Sequence, residues 1–331
     1  MDYSRDTSIN QHCLLMENPN KNQSIQALCA GEALIDLVSD SSGKLTPCLG
    51  GAVYNLARAL ALQGVGTGYL NPLSSDLYGQ QLRAGLEAAG AEVLDQAPVQ
   101  EPSSLAVVNL DADGKAAYTF YREGVADRKT SSDQLNKLSQ YPEVKIVCTG
   151  CLALSPDDTK LYLPWLAEQK RLGRTICIDV NVRAAVMNDA AAYKVNIDAA
   201  LHYADIIKAS DDDMAYLGLG AQKLLAKTRA KIFLLTLGSQ GAQLLTSSGT
   251  CLTVQSPLDL QVVDTVGAGD CFFAGFLAHW LRSDSSLQAA LNHAVCSASI
   301  NVMRQGCQPP TWAEALQQFT HPKHRLYSPA L

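Results

Sequence analysis

From residue 25 onward the chain alternates short apolar runs with amphipathic stretches of helical length. Residues 25–30 and 34–38 read as strands. Residues 51–63, rich in Ala and Leu and opening at a glycine pair, read as a helix. So do residues 76–89, with Asp76 placed to cap them. Strand–helix repeats follow at 145–149 then 157–171, 175–179 then 190–202, and 205–208 then 211–217. A strand at 232–236 leads to a hairpin turn near 246–249. A β-like stretch at 260–263 precedes helices at 268–281, 287–304 and near Ala313. Short apolar strands alternating with helices predict a parallel sheet covered on both faces, hence an α/β fold.

One region breaks the alternation. Residues 103–109 and 115–122 are β-rich runs joined by the turn signal Asp111-Ala-Asp-Gly114. With residues 34–49 they predict a small sheet projecting from the main body, over the carboxyl ends of the parallel strands where such sheets bind ligands. The expected organisation is therefore a polar N-terminal extension at 1–24, one domain at 25–320 with a β lid from about 34–49 and 103–123, and a tail at 321–331. No internal repeat or low-complexity linker argues for two independent domains.

Composition narrows the function. Apolar residues make up 47% and charged residues 18% of 331 positions, enough for a substantial core. A net charge of −6 without a basic stripe argues against a nucleic-acid partner. The apolar patch at 13–16 is too short for a signal-peptide core, and no run approaches a membrane span, so a cytoplasmic protein is expected. The ten cysteines are scattered, many within apolar runs, and read as reduced thiols. Cys148 and Cys151 have C-x-x-C spacing but lack a second pair for zinc.

The strongest candidate for chemistry is Asp264-Thr-Val-Gly267-Ala268-Gly269-Asp270. Its small residues leave backbone N–H groups free to point at a phosphoryl group, and Asp270 in the first helical turn could take a proton from an attacking alcohol. Taken alone, the triplet reads slightly better as an ordinary glycine-rich helix cap. No Walker loop occurs, and Gly64-Val-Gly66-Thr-Gly68-Tyr69 fails the dinucleotide pattern.

Together with Gly50-Gly51-Ala-Val-Tyr-Asn55 near the N-terminus, this stretch resembles the two signatures of the ribokinase-like (PfkB) family of carbohydrate kinases. The resemblance covers roughly residues 25–310 and is strongest to fructokinases. It implies a three-layer sandwich around a mostly parallel sheet with a small β lid. It implies ATP and Mg2+ as cofactors, with K+ as a further candidate. Gly31-Glu32-Ala-Leu-Ile-Asp36 resembles the opening whose aspartate binds sugar hydroxyls, although a strand-end Asp facing water reads as well from the residues alone. Asp179-Val-Asn181-Val-Arg183 resembles a segment whose Asn and Arg lie toward sugar and phosphate. Phe120-Tyr121-Arg122, followed by Ala126-Asp127, resembles the stretch leading out of the lid. On the nucleotide side stand Lys208, Ser210 and Asp213, the last reaching magnesium through water, and the turn Thr236-Leu-Gly238-Ser-Gln-Gly241. Small residues at Ala294 and Ala298, equally consistent with helix packing, and Asn301 would let adenine approach the last long helix.

The resemblance thus implies transfer of the γ-phosphate of ATP to a primary hydroxyl of a monosaccharide, foremost fructose. Asp270 would be general base, Gly267, Ala268 and Gly269 the anion hole, and Arg183 a charge stabiliser. The sugar would meet Asp36, Gly50, Gly51, Asn55, Tyr121, Arg122 and Asn181. The alternatives are a 2-keto-3-deoxygluconate kinase or a catalytically silent sugar-binding regulator. Val53 and Tyr54 replace smaller family residues, and Asn71 and Ser74 replace glycines, all near the sugar side. A homodimer through the lid would cover an exposed sheet face.

Overall fold

In a computed structural model the described residues are 24–39, 43–110, 116–184, 187–257 and 260–320. The turn at 111–114, the C-terminal tail and all of the N-terminal extension except Ser24 lie outside them. The main sheet contains, in chain order, β1 (Ala27–Cys29), β4 (Thr67–Tyr69), β5 (Glu92–Val93), β8 (Ile146–Gly150), β9 (Thr175–Asp179), β10 (Ile206–Ser210), β11 (Ile232–Thr236), β12 (Ala242–Thr246) and β13 (Cys251–Val254). Their order across the sheet is β13-β12-β11-β10-β9-β8-β1-β4-β5. Every pairing from β5 to β11 is parallel, and β12 and β13 add an antiparallel edge.

Alternation along each strand builds two cores. Ala27, Cys29, Ile146, Cys148 and Cys177 face α1 (Ala52–Leu62), α2 (Leu77–Ala89), α8 (Ala268–Trp280) and α9 (Leu287–Val302). Leu28, Val147, Ile176 and Ile178 face α3 (Ser132–Leu138), α4 (Thr159–Arg171), α5 (Ala190–Leu201), α6 (Asp211–Leu217) and α7 (Ala221–Lys227). α10 (Trp312–Thr320) packs on α9. A strand buried on both faces reads as an apolar run, which is why the sequence showed these strands so plainly. The predicted three-layer α/β arrangement is therefore present.

A second sheet of order β3-β2-β6-β7 stands apart, formed by β2 (Leu34–Ser39), β3 (Leu45–Gly50), β6 (Ser104–Leu110) and β7 (Ala116–Tyr121). Leu37, Leu49 and Leu105, on the face opposite the one that bears Asp36, pack against the first core. Asp76 caps α2 as expected, accepting from the Gly79 amide at 2.7 Å. The β-like stretch at 260–263 is corrected: these residues form no strand. Val262 and Val263 are 60% and 59% exposed, and the Val263 and Asp264 amides both donate to the Val302 carbonyl at the end of α9. The nine described cysteines are free thiols. Among the described residues no helix is long and apolar enough to cross a membrane.

Candidate active site

A pocket of about 240 Å3 opens between the small sheet, the carboxyl ends of the central strands and the start of α8. Its polar wall includes Asp36, Asn55, Asn181, Arg183, Lys208 and Asp270. Its apolar wall includes Leu34, Tyr118, Phe120 and Leu152. Residues from seven separate segments of the sequence thus converge on one cavity.

The α8 end is built by a turn. Gly267 is the N-cap at φ 75°, and a Cβ there would lie 2.3 Å from the Cys307 sulfur, so only glycine fits. Asp264 fixes the turn by accepting from the amides of Val266 at 3.0 Å and Gly306 at 2.8 Å. The Ala268 amide donates to the Thr265 carbonyl, so of the three small residues Gly267 and Gly269 line the pocket. The amides of Gly269 and Asp270 lie in the first helical turn, where no intrahelical carbonyl can receive them. Asp270 itself is buried and accepts from Asn55 Nδ2 at 3.0 Å. Burial pushes its carboxyl above the ordinary range, against the opposing pull of Lys208, Asn55 and Arg183.

Asn55 sits in the first turn of α1, and its Oδ1 is buried without a protein partner. Gly51 opens that helix at φ 103°, where a Cβ would meet the Glu32 carbonyl at 2.7 Å. The helix has no side-chain cap of its own. Glu32 supplies one from a distance, Oε1 accepting from the Ala52 amide at 2.9 Å. Gly50 pairs with Leu34 in the small sheet, and a Cβ on it would come within 2.1 Å of Asp36 Oδ2. That glycine is what lets the Asp36 carboxylate occupy its position. Burial raises Asp36 to about 6, less than it otherwise would because Arg183 is near.

Asn181 has φ 38°, a left-handed conformation that asparagine tolerates, and the bend brings both Asn181 and Arg183 to the pocket. Arg183 donates to the Val182 carbonyl at 3.0 Å and lies over the Tyr118 ring at 5.7 Å. Among the described residues no carboxylate lies within ion-pair distance of it.

The proposed nucleotide side lies at the carboxyl ends of β10 and β11. Ser210 and Thr236 are register partners at the ends of β10 and β11, and Gly238 to Gly241 turn just beyond. Asp213 is buried, accepting from the Val182 amide at 2.7 Å and the Ser210 amide at 2.7 Å. Both its oxygens are engaged, so it suits an outer, water-mediated contact with a metal better than direct ligation. Among the described residues no group of three metal-ligating side chains forms. A magnesium ion here would depend on nucleotide phosphates for its inner ligands, as is usual for phosphoryl-transfer sites.

Three expected contacts fall elsewhere. Tyr121 points away from the pocket and is 59% exposed. Strand alternation explains this: Tyr118 and Phe120 face inward, so Tyr121 faces out. The guanidinium of Arg122 is taken by Asp127 at 3.0 Å and Asp158 at 2.9 Å, a buried cluster at the base of the small sheet. Asn301 is buried, donating to the Val266 carbonyl and accepting from the Gln308 amide, so it braces the glycine turn instead of facing adenine. Asn71 is not in the left-handed region. Its side chain accepts from the Gly31 amide and donates to the Asp127 carbonyl and Tyr162 hydroxyl, which a glycine could not do. Sequence reasoning missed Glu32, Tyr118, Phe120 and Cys151 as pocket residues. The parity of β7 could have found two of them.

Residues 25–314 match the pfkB family carbohydrate kinases. A fructokinase of Rhizobium leguminosarum bv. trifolii is 33% identical over 291 residues, covering 85% of this chain and 86% of that protein. The structure of a fructokinase with bound ATP from Xylella fastidiosa superposes with a TM-score of 0.79 at 24% identity, over 89% of this chain and 98% of that one. A Vibrio cholerae fructokinase solved with fructose, ADP and calcium ion gives 0.76 at 22%, over 88% and 98%. With the sheet order, the small second sheet and the glycine turn bearing Asp270 in agreement, this chain belongs to the pfkB family of carbohydrate kinases and has the ribokinase-like fold.

Proposed function

We propose that the protein transfers the γ-phosphoryl group of ATP to a primary hydroxyl of fructose, giving fructose 6-phosphate. The observation that carries this is the meeting of Asp270, held by Asn55, with Asp36, Asn181 and Arg183 in one small cavity. The similarity to fructokinases over most of the chain supports fructose as the acceptor. Asp36 and Asn181 hold sugar hydroxyls, and each carboxylate oxygen of Asp36 can accept more than one. Asp270 takes the proton of the attacking hydroxyl as its oxygen bonds to phosphorus. The electron pair of the broken bond leaves on the ADP oxygen. Arg183 and the Gly269 and Asp270 amides meet the charge that builds on the phosphoryl oxygens. Thr236, Gly238 and Gly241 flank the nucleotide, with Ser210 and Lys208 beside them. Bound magnesium, with Asp213 as its outer partner, would neutralise the phosphates.

One feature favours a second reading. Arg183 is a half-buried cation without a carboxylate counterion among the described residues, and a sugar acid such as 2-keto-3-deoxygluconate could supply one. Following ADP release with fructose, ribose, 2-keto-3-deoxygluconate and adenosine discriminates the two. Fructose should give the highest kcat/KM, and preference for the acid would transfer the assignment to it.

Gly50→Ala should raise the KM for sugar by on the order of 10-fold or more, because the added methyl displaces the Asp36 carboxylate while leaving it in the sequence. Steady-state kinetics at saturating ATP read this directly. An unchanged KM would remove Asp36 from the sugar site.

The pH profile has a defined sign. Asp36 and Asp270 act ionised, and burial raises both, Asp36 to about 6. The rate constant kcat/KM should therefore rise with pH through about 6 and level off above it. A profile flat down to pH about 4.5, near the ordinary carboxylate range, would contradict desolvated carboxylates in the reaction.

A further inference from the structure

Gly269 is glycine for a reason that backbone conformation does not supply. It lies inside the first turn of α8 and, unlike Gly267, has no left-handed φ. A Cβ on it would lie 2.7 Å from Lys208 Nζ, closer than real Cβ contacts come. The lysine ammonium thus occupies the space a side chain would fill, packed against the helix N-terminus. That arrangement opposes the helix dipole, whose positive end already faces it. It is also buried, Lys208 being only 4% exposed.

Its counterion accounts for part of this placement. Lys208 Nζ donates to Asp179 Oδ2 at 3.0 Å, the one hydrogen bond it makes among the described residues. An ammonium has three donors, so two remain, and Lys208 lines the pocket beside Gly269 and Asp270. Asp179 Oδ1 is buried without a partner, so the pair is not a closed, fully satisfied unit. A cation held against helical amides, with donors left over and facing a cavity, is suited to a multiply charged anion.

We infer that Lys208 is a catalytic residue: its ammonium, seated in the side-chain space that Gly269 leaves empty, donates directly to the phosphoryl group during transfer. This rests on the phosphotransfer reading above and sharpens it, because there Lys208 only accompanied the nucleotide. The bond changes are those already given: the acceptor oxygen bonds to phosphorus, the bridging oxygen leaves with its electron pair, and Asp270 receives the hydroxyl proton. Lys208 donates hydrogen bonds throughout and transfers no proton. Asp179 restrains the lysine so that its free donors stay aimed at the cavity. The three small residues of the turn then have different duties. Gly267 makes the turn, Ala268 closes it, and Gly269 admits the lysine.

The test compares the wild type with Lys208→Met, Gly269→Ala and the double variant Lys208→Met/Asp179→Asn. The double variant leaves no unpaired buried carboxylate, so it serves where the single one fails to fold. Lys208→Met should lower kcat by about 100-fold or more, with ADP affinity within about threefold of wild type. Gly269→Ala should lower kcat in the same sense by displacing the ammonium. The second readout is binding of ADP with aluminium fluoride, a mimic of the phosphoryl group in flight. It should be tight in the wild type and lost in the double variant, with ADP alone still binding. A loss confined to KM for ATP and to ADP affinity would make Lys208 a nucleotide anchor and overturn the inference. Recovery of kcat in the double variant would reduce it to a counterion of Asp179 and overturn it equally. The fluoride readout does not depend on the acceptor. Trapping by the wild type without turnover of any sugar would therefore sink the sugar reading alone, while sugar turnover retained in Lys208→Met would sink this inference alone.

Discussion

Replacing Asp270 by Asn should lower kcat by about 100-fold or more, the usual worth of a positioned general base. The change is nearly isosteric, and an Asn Oδ1 can still accept from Asn55 Nδ2, so the local geometry should persist. Sugar affinity should change little, because Asp36 and Asn181 remain in place. Calorimetric titration with sugar, beside steady-state kinetics, separates the two effects. Near-normal turnover would mean that another group accepts the proton. A lost kcat together with lost sugar binding would instead mean that Asp270 holds the sugar and not only its proton.

Arg122→Met should destabilise the protein by about 3–5 kcal/mol, the cost of leaving buried carboxylates unpaired. Asp127 and Asp158 are both nearly inaccessible to solvent, and each receives one arm of the guanidinium. Arg128 does not substitute fully: its Nε donates to Asp158 at 2.6 Å, but its Nη1 donates to the Arg122 carbonyl and not to Asp127. Urea denaturation followed by circular dichroism measures the loss. The surviving folded protein should keep its KM for sugar within about twofold, since Arg122 lies outside the pocket. A large rise in KM with little change in stability would return Arg122 to the sugar site.

The strands and helices of the body were legible because both sheet faces are covered and each strand is an apolar run with turn residues at its ends. β9 (Thr175–Asp179), α6 (Asp211–Leu217) and β11 (Ile232–Thr236) have the predicted limits. The elements that escaped were short. β4 and β5 have three and two residues, too few to display a period, and α7 has seven. Residues 260–263 failed for the opposite reason. Their composition is β-like, but no neighbouring strand pairs with them and two valines face outward.

The candidate site was legible wherever a motif fixed it. Asp36, Asn55, Asn181, Arg183 and Asp270 meet in one pocket although the sequence separates them widely. What the sequence could not convey was which polar groups are already occupied. Arg122 and Asn301 have the right chemistry for ligands, but buried protein partners use it. The distant cap that Glu32 provides for α1, and the place of Lys208 beneath Gly269, depend on tertiary contacts that no local spacing encodes.

The most direct measurement is a phosphorus–proton correlation spectrum of the product formed from fructose and magnesium ATP. ADP is expected, with a new sugar phosphate whose phosphorus correlates with the C6 methylene protons. Phosphorus appearing only as inorganic phosphate, or attached to any other carbon of the sugar, would contradict the proposed reaction.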